Sequence, residues 1–306
     1  MAKLTFRTSE PGDVDTLVAL YDRHYEGGYS ACFDRYGPAT PRDFWWVQSE
    51  KSLTLVEVNR KVVGLIVIGR SGRRLLAEEV ILDVDRGERD DLLPQLHEWL
   101  TRRFQQARQE VLSIRGAETN AVVLAMARTF GFVFADALVV AVGGRPAAGA
   151  PTATGRPPAG GPAHDEDRSP GEGPRGYRIR RARPSDEQAL SQLHEETVGP
   201  VRASDLKALW TLPDVRILLA ERDTFPVGFL IAQVRDGAGR WLVGVRQTHR
   251  GKGLGRALAA EALQFFRARR VPAVTTYWGT DSGAIRLARA IGAKTERVFL
   301  YFQRPL

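Results

Sequence analysis

A basic, glycine-rich stretch in the second half of the chain carries the residue types best suited to chemistry. The segment RGKGLGR (250–256) holds three glycines at a spacing of two, with basic residues among them. An apolar run, WLVGV (241–245), precedes it, and a helix-like run, LGRALAAEALQFF (254–266), follows. The first N–H groups of a helix lack partners inside the helix, and the helix dipole makes that end electropositive. Glycine lets an anion approach the backbone closely. These features predict a cradle for a phosphate or pyrophosphate.

Two common nucleotide-binding motifs do not fit this stretch. The pattern G-x-x-x-x-G-K-[ST] needs Ser or Thr after its lysine, whereas Gly253 follows Lys252. The dinucleotide pattern G-x-G-x-x-G follows the first strand of its unit and has a different spacing from the G-x-G-x-G found here. Here the turn comes late, after three successive strands of antiparallel type. The expected ligand is therefore a different phosphate-containing molecule.

An α/β unit is predicted around this turn. The helix at 253–269 places Leu254, Leu258, Ala262 and Phe265 on one stripe, which predicts packing against a sheet. Hydrophobic periodicity and glycine stops predict the other helices near 185–198, 203–211 and 282–291. Strands are predicted near 177–181, 215–221, 226–234, 239–245, 272–277 and 296–302. The order β-α-α-β-β-β-α-β-α-β is that of an α/β fold with a mixed sheet.

The first half of the chain resembles the second at an offset of about 160 to 170 residues. Three blocks match in the same order: 6–17 with 179–190, 53–68 with 217–232, and 120–140 with 281–301. The first block pairs Arg7 with Arg180 and Asp13 with Asp186. A tandem duplication accounts for these ordered matches.

A segment dominated by Gly, Pro and Ala, residues 143–176, separates the two copies. Such a composition cannot bury enough apolar surface to offset the entropy of ordering, so a flexible linker is predicted. The predicted domains are therefore 1–142 and 177–306.

Composition places the chain among ordinary globular proteins, with 43% hydrophobic and 26% charged residues. The single cysteine, Cys32, excludes an intramolecular disulfide and fits a cytoplasmic location. No membrane segment is expected, because no stretch approaches 18 apolar residues. The net charge of +8 favours an anionic partner. No helix-turn-helix, OB or RNP signature supports nucleic acid in that role.

The loop and the element order together resemble the GCN5-related N-acetyltransferase (GNAT) superfamily. Its acetyl-CoA-binding pattern, [Q/R]-x-x-G-x-[G/A], matches residues 250–255. The resemblance implies two tandem GNAT-like domains, each a mixed, mostly antiparallel sheet flanked by helices. It implies acetyl-CoA or another acyl-CoA as co-substrate, and no metal. The cofactor-binding residues that it implies are Val243, Val245, Arg250, Gly251, Lys252, Gly253, Leu254, Gly255, Arg256 and Asp281.

The resemblance further implies direct acyl transfer to a primary amine of a small molecule, with a general base and a general acid. The family commonly has an asparagine where Asp281 stands, and a tyrosine acid where Ala288 stands. Tyr277 or water can act as the general acid. The alternative for Tyr277 is a structural role, either in the wall of the site or in the hydrophobic core. Glu221 is a candidate base, and a solvated surface charge is its alternative reading.

The first unit departs from the motif at the equivalent turn, DRGERDD (85–91). Its acidic residues suit a helix amino terminus but repel a pyrophosphate. A degenerate copy is predicted, although Asn120 occupies the position of the family's cofactor-contacting asparagine. The two units can also pack as an internal pseudo-dimer. A tandem arrangement with one degenerate unit resembles mycothiol synthase-like proteins, and a non-catalytic acyl-CoA-binding or regulatory protein is the alternative function.

Overall fold

The computed structural model describes residues 3–25, 29–36, 38–71, 73–143 and 173–306. The chain forms two compact units that are not contiguous in sequence. Unit 1 comprises Met1–Val140, Tyr277–Thr280 and Arg297–Leu306, and unit 2 comprises Ala141–Thr276 and Asp281–Glu296. Most of the predicted linker, residues 144–172, lies outside the described residues, so its flexibility stays a prediction.

Unit 1 contains a mixed, mostly antiparallel sheet with helices packed on it. The strands of unit 1 are β1 (Leu4–Thr8), β2 (Tyr29–Ser30), β3 (Arg35–Tyr36), β4 (Ser52–Val58), β5 (Lys61–Ser71), β6 (Arg74–Leu82), β7 (Val111–Ala117) and β8 (Val133–Gly143, whose last residues fall in unit 2). Strands β2 and β3 pair with each other in a separate two-stranded sheet, and the other strands belong to the main sheet. Its helices are α1 (Val14–Tyr25), α2 (Pro41–Glu50), α3 (Arg86–Gln106) and α4 (Ala121–Thr129). The pairs β1–β4, β4–β5 and β5–β6 are antiparallel, and β6–β7 is parallel.

Unit 2 repeats this arrangement. Its strands are β9 (Arg178–Arg181), β10 (Val215–Arg222), β11 (Phe225–Arg235), β12 (Ala238–Val245) and β13 (Ala273–Trp278). Its helices are α5 (Glu187–Thr197), α6 (Ala203–Leu209), α7 (Leu254–Ala268) and α8 (Ser282–Ala290). The strand order is β13-β12-β11-β10-β9, with β12–β13 parallel and the other pairs antiparallel. The predicted elements are confirmed, since their ends agree with the observed ones to within about three residues.

The core of unit 2 lies on both faces of this sheet. On one face, the predicted stripe of α7 is buried, with Leu258 and Ala262 fully excluded from solvent, and it packs against Leu218 and Leu230. On the other face, α5 contributes buried leucines that pack with Phe229. Because apolar area removed from water is the main favourable term in folding, this burial holds α7 and α5 against opposite faces of the sheet.

The last strand of the chain, β14 (Lys294–Pro305), pairs with β7 of unit 1 over its final residues. The antiparallel pairing runs from Phe299 opposite Ala117 to Pro305 opposite Val111. The Arg115 guanidinium donates to the Tyr301 hydroxyl at 3.2 Å, so side chains reinforce the ladder. The prediction of two contiguous domains does not place this C-terminal segment in unit 1. The periodicity of a strand shows which of its faces is buried, but it does not show which strand it pairs with.

A β-bulge distinguishes β6 within unit 1. The register against β5 shifts between Val67 and Ile68, so that Glu79 lies opposite Val67 and Ala77 lies opposite Ile68. A bulge inserts a residue and reverses which side chains face each side of the sheet. Ala77 and Val80 therefore face one core, whereas Glu79 turns to the opposite face, where it is buried beside Tyr25.

The same ion-pair cluster occurs in both units, as the internal repeat predicts. In unit 1 the Arg7 guanidinium contacts Asp13 and Glu57, each at 2.7 Å. In unit 2 the matching Arg180 contacts Asp186 and Glu221, also at 2.7 Å. Hydrogen bonds from the arginines hold the pKa values of Asp13 and Asp186 below their usual range. The conserved geometry of this cluster supports the tandem duplication.

Across the ranges that the structure describes, no helix is long and apolar enough to cross a membrane. The same ranges contain no group of three or more His, Cys, Asp or Glu residues arranged to hold a metal ion.

Candidate functional site

One edge of β12 is open over its second half. β12 pairs with β11 along its whole length, but its pairing with β13 covers Gly239 with Ala273 and Arg240 with Val274. Beyond Arg240, no further pairing of these two strands occurs among the described residues. The Gly239 N–H donates to the Pro272 carbonyl at 2.8 Å, which places its N–H on the β13 side.

Backbone groups on a strand alternate between its two edges. The N–H and C=O groups of Val243 and Val245 therefore lie on the same open edge as those of Gly239. Polar backbone groups require partners, and an unpaired strand edge binds extended ligands by adding hydrogen bonds. The open edge of β12 is compatible with cofactor contacts at Val243 and Val245, and those contacts stay a prediction.

The glycine loop begins where this edge ends. A short 3-10 turn, Gln247–His249, follows β12, and Gly251 and Gly253 then adopt φ angles of +77° and +85°. This left-handed conformation costs an L-residue about 1–2 kcal/mol, which explains glycine at both positions. A Cβ on Gly251 would meet nothing within 4 Å, so backbone conformation and not crowding requires the glycine.

The amino terminus of α7 presents free hydrogen-bond donors at the end of the loop. The first helical hydrogen bond runs from the Ala257 N–H to the Gly253 carbonyl at 3.0 Å. The N–H groups of Leu254, Gly255 and Arg256 precede this bond and have no carbonyl four residues earlier in the helix. Gly255 has helical geometry, and a Cβ there would approach nothing nearer than the Leu287 side chain, at 4.0 Å. The space beside Gly255 is therefore open.

Basic side chains line the same loop. The Arg250 Nε donates to the Val245 carbonyl at 2.9 Å, and the Lys252 Nζ donates to the Thr248 carbonyl at 3.1 Å. Both side chains are exposed, as are Gly251 and Gly253. Their charges add to the positive end of the helix dipole. The open strand edge, the left-handed glycines and the helix start form one continuous surface that fits a phosphate attached to an extended chain.

Asp281 caps its own helix instead of projecting a free carboxylate. Its Oδ1 accepts hydrogen bonds from the N–H groups of Gly283 and Ala284, at 2.9 and 3.0 Å. The residue is exposed and begins α8, which contacts α7. Its contact with a cofactor stays a prediction.

The two candidate catalytic residues lie in different environments. Glu221, on β10, is 9% exposed and is bound by Arg180, so the expectation of a solvated surface charge is wrong. Two nitrogens of the Arg180 guanidinium lie 2.7 Å from Oε1 of Glu221, so this carboxylate oxygen is already engaged within the protein. Tyr277 is half-buried on β13 and belongs to the segment counted with unit 1. Its role stays a prediction.

Unit 1 fills the positions that are open in unit 2. The Asp85 carboxylate caps α3 by accepting from the Glu88 N–H at 2.8 Å, so an internal anion occupies this helix start. Asn120 is buried, accepts from two N–H groups of α4, and donates from Nδ2 to the Val80 carbonyl of β6 at 3.0 Å. That contact takes up part of the β6 backbone beside β7. These contacts favour the loss of cofactor binding in unit 1, which stays a prediction.

Unit 1 also contains a buried carboxyl group that sequence reasoning missed. The Tyr25 hydroxyl donates to the Glu79 Oε2 at 2.6 Å, while Oε1 has no hydrogen-bond partner among the described residues. Burial raises the pKa of Glu79 to about 7, against the opposing effects of the Tyr25 hydrogen bond and the Arg115 charge. The bulge in β6 turns this residue inward, and adjacent glutamates in the sequence give no sign of it.

Comparison with known families identifies the second half of the chain. The model of the acetyltransferase (GNAT) family matches residues 183–293, which include β12, the glycine loop and Asp281. Over these residues the chain is similar to the GNAT family. GNAT proteins are transferases that use acyl-CoA. No curated protein matches the sequence.

Solved structures extend the GNAT fold to the whole chain. A GCN5-related N-acetyltransferase from Sphaerobacter thermophilus superposes with a TM-score of 0.69 at 18% identity, covering 99% of this chain and 95% of that one. A tandem GNAT protein from the clavulanic acid biosynthesis pathway, solved without AcCoA, gives 0.66 at 16% identity, covering 99% and 98%. A GNAT-family acetyltransferase from Colwellia psychrerythraea gives 0.60 at 9% identity, covering 98% and 99%. The tandem GNAT fold of the chain is thereby established.

Proposed function

We propose that this protein is an acyl-CoA-dependent N-acetyltransferase that acylates a primary amine of a small molecule by direct transfer. Unit 2 binds acetyl-CoA, or another acyl-CoA, and unit 1 is a degenerate GNAT domain. The observation that carries the proposal is the open edge of β12 leading directly into the glycine loop. The alternative is a non-catalytic acyl-CoA-binding or regulatory protein.

The residues of unit 2 fit an acyl-CoA in three ways. The N–H and C=O groups of Val243 and the N–H of Val245 can pair with the amide groups of an extended arm, while the Val245 carbonyl accepts from Arg250. The donors of Leu254, Gly255 and Arg256 can bind a pyrophosphate, with Arg250 and Lys252 supplying charge. When bound, the cofactor would supply an activated acyl group as a thioester.

Direct transfer requires removal of a proton from the substrate ammonium and protonation of the departing CoA thiolate. Arg180 holds Glu221 in an ion pair, so we assign Glu221 a structural role and propose that water carries the proton away from the substrate ammonium. Tyr277 stays the candidate general acid. A Tyr277→Phe variant that keeps full activity would leave water in that role as well.

Amine-dependent release of CoA thiol tests the proposed activity. The protein, acetyl-CoA and a panel of small primary amines are combined, and released thiol is measured with a chromogenic reagent. Cys32 contributes little background, because it is buried and burial raises the pKa of its thiol well above the usual range. We expect at least one amine to accelerate thiol release and to appear as its acylated product.

Calorimetric titration with CoA separates the two functions. Binding of CoA together with amine-dependent release supports the enzyme. Binding of CoA with no release for any amine supports the regulatory alternative. Absence of CoA binding contradicts both.

We also propose that the protein is located in the cytoplasm. The single cysteine is buried and not part of a disulfide, which is compatible with a reducing compartment. Fractionation with a compartment marker tests this location.

A further inference from the structure

A polar cluster lies beside the glycine loop and is assembled from three separate segments of unit 2. Tyr177 immediately precedes β9, Arg222 is the last residue of β10, and His249 ends the short turn between β12 and the loop. Pro174, just before Tyr177, also approaches the loop, since a Cβ on Gly253 would lie 3.5 Å from its ring. The three side chains share no sequence motif, and folding alone brings them together.

Tyr177 links the other two residues of the cluster. Its hydroxyl and the His249 Nδ1 are 3.1 Å apart, and the two rings meet edge-on with centroids 5.8 Å apart. The Arg222 guanidinium carbon lies 5.9 Å from the centroid of the Tyr177 ring. Because Nδ1 of His249 is engaged by the phenol, Nε2 is the ring nitrogen left to bind another group.

Positive charge is concentrated around this cluster. Burial lowers the pKa of His249, and the charges of Lys252, Arg222 and Arg246 lower it further. Arg246 is compensated by Glu196, with Nε 2.8 Å from the carboxylate. Arg222 is not compensated to the same degree, because its contact with Asp223 is 3.7 Å long and both side chains are at least half exposed. An exposed pair of this kind contributes little.

We propose that Arg222 and His249 bind the 3′-phosphate of the acyl-CoA whose pyrophosphate occupies the glycine loop, and that Tyr177 positions both residues. This inference rests on the proposed function. A phosphate monoester is doubly charged near neutral pH, and a guanidinium can donate to it through two N–H groups. His249 directly precedes Arg250, so the cluster and the pyrophosphate loop are adjacent along the backbone. The same ligand can therefore engage both.

The inference predicts that the protein distinguishes CoA from 3′-dephospho-CoA. The two ligands share the pantetheine arm and the pyrophosphate, so their affinities differ through the 3′-phosphate. Hydrogen bonds to a charged group contribute enough for about a tenfold difference in Kd. Calorimetric titration of the full-length protein with each ligand measures that ratio without any requirement for activity.

Two variants and a matched control locate the effect. Arg222→Gln and His249→Gln are expected to weaken CoA binding several-fold while leaving the Kd for 3′-dephospho-CoA unchanged. Arg235→Gln is the control, because Arg235 also pairs with the next residue at a hairpin turn, Asp236, but at the opposite end of β11. It should change neither Kd.

The 3′-phosphate assignment is supported if CoA binds more tightly than 3′-dephospho-CoA, if Arg222→Gln abolishes this difference, and if the Kd for 3′-dephospho-CoA stays unchanged. Equal affinity of the unaltered protein for both ligands overturns it while leaving the proposed function intact. An equal loss for both ligands on Arg222→Gln also overturns it, since the arginine would then act through the loop. Failure of the unaltered protein to bind either ligand overturns the proposed function and this inference together.

Discussion

Replacement of Glu79 by glutamine is expected to remove a large pH dependence from the stability of unit 1. Glutamine has nearly the same shape, stays neutral at every pH, and its carbonyl can accept the hydrogen bond from Tyr25. The native carboxyl group changes its pKa from an ordinary 4.5 to about 7 on folding, because the folded protein buries it. At about 1.4 kcal/mol for each tenfold change, ionised Glu79 opposes folding by about 3 kcal/mol.

The folded chain holds the Glu79 proton more tightly than the unfolded chain does. Below pH 4.5 the carboxyl group is protonated in both the folded and unfolded chain, and it does not oppose folding. As pH rises from 4.5 to 7, the unfolded chain releases the proton first, so the free energy of unfolding falls. Above pH 7 both states are ionised, and the whole penalty of about 3 kcal/mol is present.

Urea unfolding followed by pulsed amide exchange, with peptides from β5 and β6 as reporters, measures unit 1 separately from unit 2. The stability of Glu79→Gln relative to the native protein should rise by about 3 kcal/mol between pH 4.5 and pH 8. Any cost of packing the amide is the same at each pH and cancels from this change. Glu98→Gln is the control, because Glu98 is 65% exposed and pairs with an equally exposed Arg102. The reasoning is refuted if Glu79→Gln and native protein show the same pH dependence.

Three further substitutions test the site. Gly255→Glu places a carboxylate at the second residue of α7 and should weaken CoA binding by about a hundredfold or more in calorimetry, whereas the matched Gly87→Glu in α3 should leave it unchanged; equal effects would contradict the assignment to unit 2. Glu221→Gln should lower the melting temperature, because Arg180 loses one of its two charged partners and keeps Asp186, yet change kcat less than about twofold; a loss of about a hundredfold would identify Glu221 as the base. Asp281→Asn should keep the helix cap and tighten CoA binding, since it removes a negative charge; weaker binding would show that the carboxylate itself contacts the ligand.

The parts of the fold that the sequence predicts are those set by local chemistry. The stripe on α7 follows from helical periodicity, and the loop follows from glycines that adopt positive φ at 251 and 253. The sequence predicts the tandem duplication because Arg7 and Arg180 keep the same spacing to their aspartates, Asp13 and Asp186. In each case the informative residues lie within a few positions of one another.

The features that sequence reasoning missed depend on long-range contacts. Tyr177 and His249 meet across 72 residues, and β14 pairs with a strand of unit 1 about 190 residues earlier. The sequence around Glu221 predicts a surface charge, because its partner Arg180 lies on another strand, β9. Glu79 is buried because a bulge switches the facing of β6, and adjacent glutamates do not reveal a bulge.

Amide hydrogen exchange with and without acetyl-CoA tests the central claim most directly, because it reports on both units in one experiment. The account predicts slower exchange in peptides that cover residues 241–257, which contain the open edge of β12 and the glycine loop. It predicts no change in peptides that cover residues 77–91, the equivalent part of unit 1. Protection of residues 77–91 without protection of the glycine loop would contradict the placement of the cofactor in unit 2.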